Sequence, residues 1–150
     1  FKEKMMRNKI FLMFGLVFFL INAKAFELKA ESALIKAPKP GQTVTAGFIN
    51  LKSSEQLSIK NISSNAAGKI EIHTMKMEKG PYGDAIMKMR KIENPIIQAN
   101  KEFILKPGAD HLMLFDLKNE INVGGNMKLE FTLVDKKNIE HKKEIVFVIY

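Results

Sequence analysis

Residues 69–92 read KIEIHTMKMEKGPYGDAIMKMRKI, in which two segments of alternating side chains flank a Gly-Pro-Tyr-Gly break. Apolar residues at every second position are typical of a β-strand with one buried face, whereas a break rich in Gly and Pro is typical of a turn. The segment therefore predicts two β-strands, over 69–77 and 85–92, joined as a hairpin.

Short β segments separated by breakers continue on both sides of this hairpin. Further strands are predicted over 43–51, 56–62, 102–106, 111–117, 127–134 and 144–150, with Gly, Pro and Asn between most of them. No stretch after residue 25 keeps a 3.6-residue apolar period over three turns, so no helix is predicted there. This spacing predicts an all-β protein, either a sandwich or a partly closed barrel.

The first 25 residues have the composition of an export signal. Four basic residues precede the unbroken apolar run Ile10–Ile21, and Ala23-Lys24-Ala25 offers a small-residue cleavage site. These three regions in this order predict a secretory signal peptide over 1–25. The apolar run is shorter than the about 20 residues that span a bilayer, so no stable membrane insertion is expected after cleavage. Since the chain has no Cys to acylate, a lipid anchor is not expected either.

Residues 26–150 are expected to form one domain that works in the periplasm as a monomer. The net charge of the whole chain is +8, and about half of it belongs to the first 25 residues. The remaining Lys residues are scattered among Asp and Glu, and no basic strip with interleaved aromatic residues occurs. Nucleic-acid binding is therefore not predicted.

The absence of Cys also narrows the chemistry of the protein. It excludes a thiol nucleophile, a thiol–disulfide oxidoreductase, a zinc finger and a copper site built on thiolate. No Gly-x-Ser-x-Gly or other recognisable catalytic spacing is present. The sequence therefore predicts a binding protein, not an enzyme.

Methionine and histidine recur two residues apart in three places. The groups are His73-Thr74-Met75-Lys76-Met77, Met87-Lys88-Met89 and His111-Leu112-Met113. Side chains two apart project to one face of a strand, about 7 Å from each other, and flexible side chains can close that gap around an ion. The opposite face is already supplied with aliphatic core residues, which are Ile70, Ile72, Leu112 and Leu114.

Thioether and imidazole donors without thiolate or carboxylate favour Cu(I). Zinc is a weaker candidate, because thioethers are poor zinc ligands. Met is also a common gap-filler in protein cores, yet core packing gives no reason for His-x-Met to occur twice with Met-x-Met between. His141 lies in a charged run and is predicted to be solvated and not a ligand.

The stretches EIHTMKME, MKMR and LKPGADHLMLFDLK resemble the periplasmic copper chaperone family known as PCuAC. The pattern of that family is His, ten residues, Met, twenty-one residues, His-x-Met. Here twenty-one residues separate Met89 from His111, and His111-Leu112-Met113 ends the motif. The resemblance implies a cupredoxin-like, Greek-key β-sandwich that holds Cu(I) through His73, Met89, His111 and Met113.

The first interval departs from the family pattern, because fifteen residues separate His73 from Met89. An insertion near residues 80–84 explains the extra length, and a longer hairpin loop is thermodynamically inexpensive. The departure leaves the choice between Met87 and Met89 open, and Met75 and Met77 remain alternative sulfur donors.

The resemblance implies a carrier that delivers copper by ligand exchange. Its acceptor would be the dinuclear copper centre of cytochrome c oxidase, reached through oxidase subunit II or another copper chaperone. Two alternatives remain at this stage. One is a copper-scavenging or resistance protein with the same site, and the other is a metal-free β-sandwich interaction module whose Met/His face is packed or partnered.

Overall fold

The computed structural model describes residues 26–118 and 120–150, which form ten β-strands and no helix. The strands are β1 (Leu28–Ile35), β2 (Thr45–Ser53), β3 (Leu57–Ser63), β4 (Ala67–Lys79), β5 (Ala85–Lys91), β6 (Ile96–Ile97), β7 (Glu102–Leu105), β8 (His111–Leu117), β9 (Asn126–Val134) and β10 (Glu140–Ile149). In this part of the chain no helix is long and apolar enough to cross a membrane. The export signal predicted over 1–25 lies outside the described residues.

The strands form two layers that share β1. In one layer β5, β4, β8 and β2 lie side by side, and β7 pairs with the same edge of β2 as β8 does. In the other layer the order is β10, β9, β3 and β6. β1 pairs antiparallel with β2 and parallel with β10, and its register shifts between Glu31 and Leu34, where Ser32 has a φ of 52°. Such a bulge bends a strand that passes from one sheet to another. The prediction of an all-β sandwich is confirmed.

One apolar core lies between the layers. Alternate residues of β9 point into it and are all buried, and β4 and β8 each contribute two alternating buried residues. These side chains are Met127, Leu129, Phe131, Leu133, Ile70, Ile72, Leu112 and Leu114. Full burial of one such side chain contributes roughly 1.5–3 kcal/mol. Because β4 and β8 give one face to this core, their other face is left for side chains that the core does not require.

The eight predicted strands are confirmed to within a few residues at their ends, and two strands were not predicted. In β1 only Ile35 is buried, so its sequence LKAESALI shows no alternation. β6 has only two residues, Ile96–Ile97, which is too short for a periodic signal. Both strands are held by pairing with distant segments, which a local pattern does not show.

The β4–β5 hairpin extends beyond the rest of its layer. The first half of β4, up to His73, pairs with β8, and the second half pairs with β5. Among the described strands β5 pairs with β4 alone, so it is an edge strand, and six of its seven residues are exposed. The loop over 80–84 closes with a bond from Gly80 N to the carbonyl oxygen of Asp84, and Gly83 supplies the positive φ of 84° that favours glycine.

His141 has protein partners that its charged surroundings did not indicate, and its side chain is 32% exposed. Its Nε2 lies 2.8 Å from a carboxylate oxygen of Asp135, and its ring is nearly perpendicular to that of Phe26, with centroids 4.8 Å apart. The reason is the β9–β10 turn, which brings Asp135 back alongside His141. The other carboxylate oxygen of Asp135 accepts the backbone N–H groups of Lys137 and Ile139.

These contacts make the stability of the turn sensitive to acid. The hydrogen bond from His141, followed by those from the backbone, holds the pKa of Asp135 below its ordinary value of 3.8. Because the folded pKa is the lower one, this contribution to stability is fully present above pH 3.8 and is lost as the pH falls through the folded pKa. We expect Asp135→Asn to lower the free energy of unfolding at pH 7 and to flatten its decline below pH 4. Urea unfolding across pH 2–7 measures both effects, and an unchanged acid slope would contradict this role for Asp135.

Candidate metal centre

The pairing of β4 with β8 places two histidines directly opposite each other. His73 pairs with His111 in the register, and their ring centroids are 6.3 Å apart. Since directly opposite residues share a face of the sheet, both rings project away from the core. These two residues are called the histidine pair below. They lie where the hairpin leaves the body of the layer, because His73 also pairs with Lys91 of β5.

His111 is buried, with 7% of its surface exposed, and its ring is held by one hydrogen bond. The Nδ1–H group donates to the carbonyl oxygen of Ala109 at 2.8 Å. This bond assigns the proton to Nδ1 and leaves the lone pair on Nε2. A backbone carbonyl on one ring nitrogen is the usual way in which proteins orient a metal-binding histidine.

His73 is held in the opposite sense by a carboxylate. Its Nε2 lies 2.8 Å from Glu71, and the His73 side chain is only 14% exposed. With the proton on Nε2, the lone pair lies on Nδ1, which is buried and has no hydrogen-bond partner among the described residues. An unpartnered buried nitrogen is energetically unfavourable unless something binds it. A bound metal ion would satisfy this atom, and Glu71 would complete a carboxylate–histidine–metal arrangement.

Glu71 gives the centre a fixed negative charge. The hydrogen bond from His73 lowers the pKa of this carboxyl, and Lys69, whose Nζ lies 3.4 Å away, lowers it further. Glu71 is therefore ionised at neutral pH. Its negative charge offsets the positive charge of a cation bound by the neighbouring imidazole.

An aromatic ring closes one side of the histidine pair. Phe115 has its ring centroid 5.9 Å from that of His73, and Lys69 Nζ lies 4.6 Å from the Phe115 centroid. The aromatic ring and the lysine stem shield the histidine from water on that side. On the side toward the hairpin, Met89 is 51% exposed.

All of the predicted methionine ligands lie on the same face as the histidine pair. Met113 follows His111 by two residues, pairs with Glu71 across β4 and β8, and is half-buried. On the hairpin, Met75 pairs with Met89 and Met77 pairs with Met87. These four hairpin residues are called the methionine ladder below.

Met113 and the methionine ladder flank the histidine pair on opposite sides. On an untwisted sheet, the strand rise and spacing place the backbone positions of Met89 and Met113 roughly 16 Å apart. Met75, in contrast, is only two residues from His73. The sulfurs of Met89 and Met113 can therefore bind one ion only if the hairpin bends toward the rest of the layer. Met75 lies closer to the histidine pair without such a bend.

The Met/His face is not covered by another layer of the described chain. Met77, Met87 and Met89 are 62%, 54% and 51% exposed. The interaction-module alternative expects this face to be packed or partnered, and the described chain does not pack over these three side chains, although His111 on the same face is buried. The described residues hold no group of three or more His, Asp or Glu side chains arranged to hold a metal ion.

Sequence reasoning missed two parts of the centre, which are the carboxylate of Glu71 and the carbonyl of Ala109. Glu71 carries a signal that was available, because it precedes His73 by two residues and so shares its face. The Ala109 carbonyl gave no signal, because every residue has a backbone carbonyl and the sequence does not show which one accepts a hydrogen bond from His111.

The comparisons with known proteins agree with this fold. Residues 28–145 match the model of a family described as putative lipoprotein LpqE-like. The apo PCuAC domain from PmoF1 superposes with a TM-score of 0.61 at 17% identity, covering 82% of this chain and 92% of that domain. The solution structure of Cu(I)-DR1885 from Deinococcus radiodurans gives 0.54 at 23%, covering 81% and 75%. At these identities the likeness is one of fold.

A relative in sequence is the uncharacterized protein RP573 of Rickettsia prowazekii (strain Madrid E). It is 34% identical over 89 residues, which are 59% of this chain. The match spans 46% of the length of that relative, so less than half of it corresponds to this chain.

Proposed function

This chain belongs to the LpqE-like family, and we propose that it is a copper-binding protein that holds Cu(I) at the histidine pair of β4 and β8. The observation that carries the proposal is the buried Nδ1 of His73, which has no hydrogen-bond partner among the described residues. His111 is held so that Nε2 keeps its lone pair. Two neutral imidazoles with thioether neighbours form a donor set that suits Cu(I).

The proposed ligands are His73, His111, Met113 and one thioether of the methionine ladder. The family-type motif favours Met89 for the fourth position, and the strand register offers Met75 as its alternative. Met77 and Met87 lie one pair farther along the hairpin and are not proposed for this centre. Glu71 orients His73 and balances the charge of the ion.

Copper is the cargo of this protein, and ligand exchange is the proposed mechanism of its release. Neutral thioethers on the side toward the hairpin can be replaced one at a time by the ligands of an acceptor, so the ion is never free. The likeness in fold to a protein whose structure was determined with Cu(I) supports this role. A carrier of this kind needs no catalytic group.

We further propose that the protein acts in the periplasm, with residues 1–25 as its signal peptide and 26–150 as the copper domain. The description of its family as lipoproteins supports export. Lipid attachment is not part of the proposal, because these 150 residues contain no Cys. The proposed acceptor is the dinuclear copper centre of cytochrome c oxidase. Transfer of copper to apo oxidase subunit II, monitored by the absorption of the copper centre that forms, tests this choice.

The test of the binding function is an anaerobic Cu(I) titration of the purified protein against a competing chelator. We expect one tightly bound equivalent that excess Zn(II) does not displace, since thioethers are poor zinc ligands. Met75→Leu and Met89→Leu, measured in parallel, identify the hairpin ligand as the one whose loss weakens binding more. A parent protein that fails to compete with the chelator would remove the copper function.

Glu71 offers a test of the orientation of His73. We expect Glu71→Ala to weaken Cu(I) binding about 10–100-fold, the usual result of removing the outer partner of a metal-binding histidine. Glu71→Gln retains an acceptor for the Nε2–H group, so its Cu(I) affinity is expected to lie between those of Glu71→Ala and the parent. The same chelator competition measures both variants, and Glu144→Ala is the control, because Glu144 of β10 pairs with Lys128 of β9 in the other layer. Equal affinity in all four proteins would show that Glu71 has no such role.

A further inference from the structure

We propose that the methionine ladder is itself a second Cu(I) position, bound by thioether sulfur alone, at the exposed end of the β4–β5 hairpin. The ladder consists of Met75, Met77, Met87 and Met89 in two directly opposed pairs. The inference rests on the proposed function only in that Met89 or Met75 is shared between the two positions.

The register gives the ladder the dimensions of a metal site. Directly opposed residues of an antiparallel pair have Cβ atoms about 5 Å apart, and residues two apart along a strand are separated by about 7 Å. The four Cβ atoms therefore mark a rectangle with a half-diagonal of roughly 4 Å. An unbranched side chain with three rotatable bonds spans that distance, so all four sulfurs can meet above the centre.

The composition of the hairpin favours a soft ion over a protein partner. Lys76 separates Met75 from Met77, and Lys88 separates Met87 from Met89. Apart from Ala85 at the loop end, each apolar position on this face of the paired segment is methionine. An aliphatic docking surface would be served equally by Leu, Ile or Val, whereas only sulfur binds Cu(I). Three of the four side chains are more than half exposed.

Three basic residues around the ladder form ion pairs with glutamates, whereas Lys76 and Lys79 have no ion pair among the described residues. On the opposite face, Arg90 and Lys88 pair with Glu78 at 2.9 Å and 3.4 Å. On the same face, the ammonium of Lys91 lies 3.0 Å from Glu93. A single positive charge bound by neutral thioethers therefore meets repulsion chiefly from Lys79, on the same face beyond Met77, and from Lys76, on the opposite face.

The ladder runs from the open end of the hairpin to the histidine pair. Met77 and Met87 lie nearest the loop, and the Met75–Met89 pair adjoins His73. Cu(I) that enters at the outer pair can pass to the inner pair and then to the imidazoles, with a sulfur ligand retained at each exchange. This order makes the hairpin the route by which copper is received and released.

The experiment uses Cu(I) itself, titrated anaerobically into four forms of the protein. These are the parent, His73→Ala/His111→Ala, Met77→Leu/Met87→Leu, and the combination of all four substitutions. We expect the variant without the histidine pair to bind one equivalent of Cu(I) more weakly than the parent binds its tight equivalent. X-ray absorption of this copper should show sulfur neighbours only. The combined variant is expected to bind that equivalent at least about 100-fold less tightly. Met77→Leu/Met87→Leu alone is expected to keep the tight equivalent.

A matched control is available on the opposite face of the same hairpin. Lys76 and Lys88 are directly opposed between the two methionine pairs, so Lys76→Ala/Lys88→Ala alters the hairpin without removing sulfur and should leave the weaker equivalent unchanged. No Cu(I) bound by the variant without the histidine pair would overturn the inference and leave the proposed function standing. Weak Cu(I) binding that is unchanged in the combined variant, which lacks both the histidine pair and the Met77–Met87 pair, would also overturn it. A parent protein that binds only the weaker equivalent of Cu(I), and no tight one, would instead overturn the proposed function alone.

Discussion

Replacement of both His73 and His111 by alanine is expected to lower the affinity of the tight Cu(I) equivalent by at least about 1,000-fold, since loss even of the outer partner of a ligand typically weakens binding 10–100-fold. This corresponds to about 4 kcal/mol. The two rings supply the nitrogen donors of the proposed centre, and nothing else on that face of β4 and β8 replaces them. Chelator competition under reducing, anaerobic conditions measures the loss.

Controls separate loss of the ligands from loss of the fold. His141→Ala removes a histidine that bonds to Asp135 on the other layer, so it should leave Cu(I) affinity within about twofold of the parent. His111 is buried, and its truncation leaves a cavity, so His111→Gln provides a variant of closer volume. Affinity retained in a folded double variant would place the copper elsewhere and contradict the assignment of the histidine pair.

Truncation of Phe131 to alanine is expected to destabilise the protein by about 3–5 kcal/mol, the usual range for a large aromatic side chain removed from a packed core. Phe131 is fully buried in β9, and its ring stacks on Phe147 with centroids 6.4 Å apart and planes inclined by 6°. The substitution removes apolar contact and leaves a cavity between the two layers, which the rigid sheets fill only in part.

Urea unfolding measures this change through a lower midpoint at an unchanged m-value. Phe131→Leu, which keeps more of the volume, should have a smaller effect. Tyr82→Ala in the hairpin loop is the surface control, because Tyr82 is 95% exposed, and should shift stability by no more than about 0.5 kcal/mol. A loss below about 1 kcal/mol for Phe131→Ala would mean that the core repacks around the cavity.

Several features of the centre followed from local patterns. The period of two in 69–77 and 111–117 predicts strands, and it assigns His73 and Met75 to one face and Ile70 and Ile72 to the other. The absence of Cys and the recurrence of Met and His predict a soft, monovalent ion. These conclusions required only the alternation of side chains along a strand and the chemistry of their donor atoms.

The strands that the sequence did not predict show where local patterns fail. β1 carries a single buried residue, Ile35, and is held by β2 on one edge and β10 on the other. Its pairing with the end of the chain is a property of the assembled sandwich. His141 is a second example, because the β9–β10 turn and not its charged surroundings determines its partner.

By itself the sequence determined that this protein is built of strands and that one face of them carries imidazole and thioether donors. Only the tertiary structure decided which donors meet. The pairing of β4 with β8 sets His73 opposite His111, although the two residues are far apart in the chain. It also leaves Nδ1 of His73 buried without a hydrogen-bond partner in the described part of the chain, and it sets Met113 and the methionine ladder on opposite sides of the pair. The physical reason is that strand register is fixed by burying the whole apolar face of each sheet, a condition that no single segment contains.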